Sequence, residues 1–414
     1  MIWVVIVDPN RYVPVTLIVT NFAGGKQHYS NFPRIGAHGL RDVARLAQRE
    51  VTDGGIALAI QEMTTTEFGL PTRSAVLEAS FVFTARSSFV PRVSTAWYPL
   101  VEKWNRDRQP SSAKNEGLCV VTGRKGLTLL PWHIGEEHGS EASFSRAIDL
   151  PTFEFPHALC QVEAESDWIR ATPHSQRVPA NEVYFRPTYY QGSRDSDPRV
   201  AQACLLGWFN VCDPDDIVPA YVLINVHLST LRREYAANER GRTPSLEATF
   251  LREAQLMVIA RYVHEVELSH ELPVIVAGDF NAEPDSPEMS HFAEKSGLVP
   301  LLAADVCWKC GVRQIGRPAV AFYEVEPNGF SLTMDPQPGK VPAFWTDAVC
   351  CNEDCLEPRF THKRNLQLLD NIFVSRTDST HRQIITGIPR VDLSWGYSDH
   401  ASIIVPLRVV RNGL

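Results

Sequence analysis

The sequence predicts an α/β fold. Short apolar, β-branched runs recur along the chain, and most end in a polar side chain, the pattern of buried strands. Between them, two stretches repeat apolar residues at helical spacing instead. Strands with interspersed helices belong to the α/β class.

Taken in order, Met1-Ile2-Trp3-Val4-Val5-Ile6-Val7 is apolar but lacks a basic leader and is interrupted by Asp8 and Pro9. It reads as an extra strand, not a signal peptide. Residues 15–20 form the next strand and end at Asn21. Leu40, Val43, Ala44 and Ala47 then predict a helix over 38–51, stopped by Gly54-Gly55. Residues 56–60 return to strand and end at Gln61-Glu62. Residues 221–224 end at Asn225-Val226-His227. A longer helix is expected over 244–268, with Thr243 as its cap and Pro244 in its first turn. It delivers the chain to residues 273–277, which lead into Gly278-Asp279-Phe280-Asn281. Residues 368–374 carry Asp370 inside an apolar run, and Ser398-Asp399-His400 opens the run 401–405. Charged residues are rarely buried unless paired or bound to metal. Their shared placement at strand ends is explained if they converge on one site.

Composition sets the bounds. The 414 residues suffice for one large domain or two small ones. Contents of 44% hydrophobic and 21% charged residues are those of an ordinary globular protein. No apolar run approaches the roughly 20 residues that span a membrane. Nine cysteines, an odd count, and the lack of an Asn-x-Ser/Thr sequon point to a reducing, cytoplasmic setting. The net charge is −8, and no basic stripe is obvious beyond Arg232-Arg233, Arg240-Gly241-Arg242 and Lys363-Arg364. That balance argues against a sequence-independent, processive nuclease, though not against a local basic cleft.

Asn21, Gln61-Glu62, Asn225-Val226-His227, Gly278-Asp279-Phe280-Asn281, Leu369-Asp370-Asn371-Ile372 and Ser398-Asp399-His400 together resemble the endonuclease/exonuclease/phosphatase superfamily. That group includes deoxyribonuclease I, abasic-site endonucleases, inositol polyphosphate 5-phosphatases, sphingomyelinases and deadenylases. Any one motif is weak, but here all six occur in the family's order and span residues 21 to 400. Asn115-Glu116-Gly117-Leu118-Cys119-Val120-Val121 and Leu251-Arg252-Glu253-Ala254-Gln255 look like two further family segments. The chain departs from the common pattern at Asp370-Asn371, where Asp-Tyr or Asp-His is frequent. The resemblance implies a four-layer sandwich of two packed mixed β-sheets flanked by helices. It also implies one catalytic domain over 1–414, with insertions at about 133–200 and 303–360.

The chemistry implied is attack of water on a phosphorus ester, which needs a metal, a positioned base and a partner for the leaving oxygen. Glu62 is the first candidate ligand for Mg²⁺ or Mn²⁺, with Asn21 and Asp399 completing the metal site. Asp279 is to orient or deprotonate the water, and Asn281 to donate its amide to the phosphoryl oxygen. His400 faces developing charge with Asp370 fixing its tautomer, a pairing the resemblance supplies and spacing alone does not. His227 is to stabilise the transition state or act as acid on the leaving oxygen. Gln61 is to position neighbours. Arg146 or Arg199 opens the strand before the His227 strand, and the intervening insertion leaves the choice open.

Cys307-Trp308-Lys309-Cys310 has the spacing of a zinc knuckle, with Cys350, Cys351 and Cys355 further along. Cys307, Cys310, Cys351 and Cys355 form a candidate structural zinc site; buried free thiols and a disulfide remain the alternatives. The partner is a phosphate-ester substrate: nucleic acid, lipid head group or inositol phosphate. Two rival readings stay in view, a catalytically silent protein of the same fold and a zinc-dependent nucleic-acid-binding module.

Overall fold

The apolar runs become strands in the structure, a computed structural model that describes residues 12–21, 54–64, 92–99, 115–123, 127–131, 145–151, 174–177, 182–186, 199–210, 213–229, 246–302, 321–326, 329–333, 341–343, 361, 367–376, 384–392 and 400–410. The first strands are β1 (Tyr12–Asn21), β2 (Gly55–Thr64), β3 (Arg92–Pro99) and β4 (Asn115–Gly123). Next come β5 (Leu127–Leu129), β6 (Arg146–Leu150), β7 (His174–Arg177), β8 (Glu182–Arg186), β9 (Arg199–Asn210) and β10 (Asp213–His227). Helix α1 (Leu246–His270), β11 (Val274–Asp279) and helix α2 (Pro287–Ser296) follow. The remainder is β12 (Val299–Pro300), β13 (Ala321–Glu326), β14 (Gly329–Thr333), β15 (Val341–Ala343), β16 (Asp370–Val374), β17 (Ile384–Thr386), β18 (Arg390–Asp392) and β19 (Ser402–Val410).

Among the described residues these strands build two large mixed sheets and one small one. The first runs β17-β19-β1-β2-β4-β3-β8-β7, with β18 also on β19. The second runs β12-β16-β11-β10-β9-β5, with β6 also on β9. The small sheet is β14-β13-β15. Parallel pairs, β1 with β2 and β10 with β11, sit at the centre of each large sheet between antiparallel neighbours.

The two large sheets share one core. Leu17, Val19, Ala57 and Ala59 of the first meet Tyr221, Leu223, Ile275 and Ala277 of the second. The alternate residues Val222, Ile224, Val274 and Val276 pack instead against Leu256, Ile259 and Val263 of α1 and Phe292 of α2. A sheet covered on both faces needs apolar side chains at every position, so β10 and β11 read as unbroken runs. The outer face of the first sheet is buried too, at Ile18, Leu58, Ile60, Cys119 and Val121. This is the α/β sandwich of two packed mixed sheets.

Helix α1 begins at Leu246 and holds Leu251-Arg252-Glu253-Ala254-Gln255 in its second and third turns. Arg252 pairs with Glu288 of α2 at 3.0 Å, both groups almost wholly buried, and this ties the two helices together. The stretch 133–200, read from sequence as inserted, contributes β6, β7 and β8 to the large sheets. The stretch 303–360 contributes the small sheet. The helix expected over 38–51, the strand expected at the start, Thr243 and Pro244 lie outside the described residues. No helix among the described residues is long and apolar enough to cross a membrane.

Gly278 shows how tightly the site end of β11 is held. Its φ is +145°, and a Cβ there would stand 2.0 Å from the Val226 carbonyl oxygen. Backbone cannot retreat from such a contact inside a paired sheet. Just beyond, the Phe280 ring lies 6.3 Å from Phe292 and 5.2 Å from Phe373 between centroids, a buried aromatic cluster anchoring the loop. We expect Gly278→Ala to cost about 3 kcal/mol or more of stability, as strained backbone positions do. Urea unfolding checks this; a loss below about 1 kcal/mol would contradict the close approach.

Candidate active site

Register alone places most of the polar groups. In the second sheet, His227 stands opposite Asp279 across the parallel pair, and Asp279 opposite Asp370 across the antiparallel one. Three candidate site residues therefore share one row across β10, β11 and β16. In the first sheet, Asn21 stands opposite Gln61. The Thr20 hydroxyl accepts a hydrogen bond from Ser402 at 3.0 Å, which brings the start of β19 alongside. The two rows face each other at one edge of the sandwich.

Local backbone features aim the side chains. Between β2 and β4 the pairing passes from Ile60–Cys119 to Met63–Gly117, so Gln61 and Glu62 together oppose Leu118. This is a β-bulge, which turns a side chain out of the alternation. Glu62 sits in it with φ 54°, and Asn281 has φ 53°. Left-handed backbone in residues other than glycine is costly and concentrates at functional sites.

Asp279 is the hub. Its Oδ2 accepts a 2.9 Å hydrogen bond from the Asn21 amide, across the gap between the sheets. Its Oδ1 accepts one of 2.8 Å from the Asn281 backbone N–H. The Asn21 amide also donates to Glu62 Oε1 at 3.2 Å. His227 Nε2 lies 3.6 Å from Glu62 Oε1 and 3.7 Å from Asp279 Oδ2. His400 Nε2 lies 3.7 Å from the same Asp279 oxygen. Behind it, His400 Nδ1 is 2.7 Å from Asp370 Oδ2. Asn281 sits beside them, its amide donating to the Leu228 carbonyl at 2.8 Å.

Burial pushes the Asp279 carboxyl up to about 7; His400 opposes the rise, while the negative charges of Asp370 and Glu62 add to it. Three carboxylates thus share this site, and Asp370 Oδ1 is buried without a hydrogen-bond partner. Such a site fits a hard divalent cation. Glu62, His227 and Asp279 offer ligand atoms within 4.8 Å of one another, as do Asp279, Asp370 and His400.

The structure brings together Asn21, Glu62, His227, Asp279, Asn281, Asp370 and His400. Asp399 lies outside the described residues, as do Cys307, Cys310, Cys351 and Cys355. Gln61 donates to Asn225 Oδ1 at 2.6 Å, and the Asn225 amide donates to the Ile60 and Cys119 carbonyls at 3.0 and 3.1 Å. Asn225 therefore pins the second sheet to the first directly beneath the site. Thr361, which no sequence pattern marks, accepts from the Leu369 and Asp370 backbone N–H groups through its hydroxyl. Its carbonyl accepts from Ala401, so one residue couples the Asp370 and His400 segments. Of the two arginines left open, Arg199 opens β9, the strand before β10, and reaches His227. Arg146 opens β6 and lies over the Tyr262 ring, 5.6 Å from its centroid.

The sequence profile of the Endonuclease/Exonuclease/phosphatase family matches residues 170–400. No curated protein matches the chain. Among solved structures, the human Nocturnin catalytic domain with bound sulfate is 15% identical, with a TM-score of 0.44, over 96% of this chain and 95% of that one. An endonuclease/exonuclease/phosphatase from Bacteroides vulgatus is 13% identical, TM-score 0.45, over 95% and 98%. A mannosyl-6-phosphatase from Bacteroides thetaiotaomicron is 12% identical, TM-score 0.44, over 95% and 99%.

The raised Asp279 pKa has a signed consequence. The unfolded carboxyl titrates near 3.9 and the folded one at about 7, so its ionisation opposes folding as pH rises between the two. Asp279→Asn removes that titration. In metal-free buffer, the variant's melting temperature is expected to gain on that of the wild type from about pH 4 to about pH 8. Parallel pH profiles in thermal melts would contradict it.

Proposed function

The chain belongs to the endonuclease/exonuclease/phosphatase family, and from that premise we propose that it is a divalent-metal-dependent phosphoesterase. It hydrolyses a phosphodiester or phosphomonoester by attack of water. One observation carries the reading: Glu62 and Asn21 from one sheet and His227, Asp279 and Asp370 from the other converge with His400 on a shared point. Ionisable groups buried this way are costly for folding and are explained by use.

A divalent cation held by Glu62, Asn21 and Asp399 would neutralise phosphate oxygens and sharpen the electrophile. The chain's own groups do the rest. Asp279 orients the attacking water and takes its proton, a task for which a carboxyl near neutrality is suited. Asn281 is held by Leu228 with its amide at the site and donates to the phosphoryl oxygen without adding negative charge. Asp370 accepts from His400 Nδ1–H and so presents His400 Nε2 to the reacting group. His227 serves the developing charge from the opposite side.

Nucleic acid is the first substrate class under this reading. A lipid head group or inositol phosphate is the second, and the net charge of −8 favours it, because a nucleic-acid backbone is bound best by basic surface.

The test is Mg²⁺- or Mn²⁺-dependent hydrolysis across single-stranded DNA, duplex DNA, RNA, bis-p-nitrophenyl phosphate, sphingomyelin and inositol phosphates. Asp279→Asn and His400→Ala are each expected to lower kcat by about 10²-fold or more, with Asp370→Ala partly reproducing the loss of His400. Activity in the wild type that survives Asp279→Asn would remove that residue from its role. No hydrolysis of any substrate with either metal would favour a silent protein of the same fold.

A further inference from the structure

We propose that Arg199 is a positioning residue that holds the His227 imidazole with its hydrogen on Nε2, making His227 a hydrogen-bond donor to the phosphoryl group and not a cation ligand. The catalytic part of this assignment rests on the phosphoesterase reading.

Arg199 Nη1 lies 2.9 Å from His227 Nδ1. A guanidinium has five N–H donors and no acceptor, so this hydrogen bond has one direction only. Nδ1 accepts with its lone pair, and a neutral imidazole with a bare Nδ1 carries its hydrogen on Nε2. Both residues are buried, Arg199 at 6% and His227 at 3% exposure, which limits competition from water.

The backbone makes the pairing a property of the fold. Arg199 opens β9 and His227 closes β10, and these strands pair antiparallel with Asn225 opposite Gln202. Their ends therefore lie side by side at the site edge.

On its far side, His227 Nε2 faces Glu62 Oε1 at 3.6 Å and Asp279 Oδ2 at 3.7 Å. Neither separation is a hydrogen bond. An Nε2 that carries hydrogen has no lone pair for a cation, so metal binding falls to the carboxylates and Asn21. His227 instead offers a neutral N–H, which supports charge developing on a phosphoryl oxygen. His400 is set the opposite way. The Asp370 carboxylate accepts from its Nδ1–H at 2.7 Å, and its Nε2 faces Asp279 Oδ2 at 3.7 Å. An arginine behind one histidine and an aspartate behind the other thus give the two Nδ1 atoms opposite roles, acceptor on His227 and donor on His400.

The experiment is two-bond proton–nitrogen correlation on metal-free protein with ¹⁵N-labelled histidine, with the His227 signals assigned by His227→Gln. Wild type is expected to show His227 with hydrogen on Nε2. Arg199→Met is expected to mix the tautomers. With Mg²⁺ and bis-p-nitrophenyl phosphate it should lower kcat on the order of tenfold or more, with KM nearly unchanged. Arg199→Lys keeps a donor and is expected to recover much of both. A wild-type His227 with hydrogen on Nδ1 overturns the proposal, as does an Arg199→Met protein with unaltered tautomer or unaltered kcat. The wild-type spectrum, once assigned, needs no substrate, so it decides the tautomer even if the phosphoesterase reading fails.

Discussion

A buried carboxylate short of positive charge organises this end of the molecule. Asp279 accepts hydrogen bonds from Asn21 on one sheet and from the Asn281 backbone beside it, yet it still lies near Glu62 and Asp370. Burial and these like charges raise the Asp279 pKa, and its ionisation opposes folding. The large core between the sheets supplies the stability against which that opposition is set. The surrounding features can be read as ways of holding Asp279 still: Gly278 admits the Val226 carbonyl, Phe280 anchors the loop in an aromatic cluster, and Asn21 bridges the sheets.

The same constraint explains the polar pins behind the site. Two sheets packed through apolar side chains have little to fix their sliding registers. Asn225 reaches from the second sheet to two carbonyls of the first and receives Gln61 in return. A buried amide with these partners has a narrow range of acceptable positions, so it sets how the two rows of polar groups meet. Thr361 does the same between the Asp370 and His400 segments.

Much of this was legible in the sequence. The runs ending at Asn21, Glu62, His227 and Asp279 are strands of the structure, because residues buried on both faces leave an apolar stretch that periodicity cannot mistake for a loop. Long-range geometry was not legible. Nothing near Arg199 in the chain announces His227, and the choice between Arg146 and Arg199 needed the pairing of β9 with β10 to be seen. Nor does local sequence reveal that Thr361 serves Asp370. The stretch 133–200 reads as an insertion because it is rich in proline, serine, histidine and charge with few clean periods, and its β6 and β8 join different sheets. The bulge at Glu62 was hidden too, since a left-handed glutamate carries no sequence mark of the kind glycine does.

The central claim is that these groups converge in order to hold a divalent cation, and thermal stability against Mn²⁺ concentration tests it most directly. A ligand that binds only the folded state stabilises it by RT ln(1 + [L]/Kd), so Tm climbs with ligand concentration. The account predicts a Tm that rises with Mn²⁺ concentration for the wild type and the loss of that rise in Glu62→Gln, each measured against its own metal-free melting temperature. A wild-type Tm indifferent to Mn²⁺, or a rise that Glu62→Gln leaves intact, would contradict it.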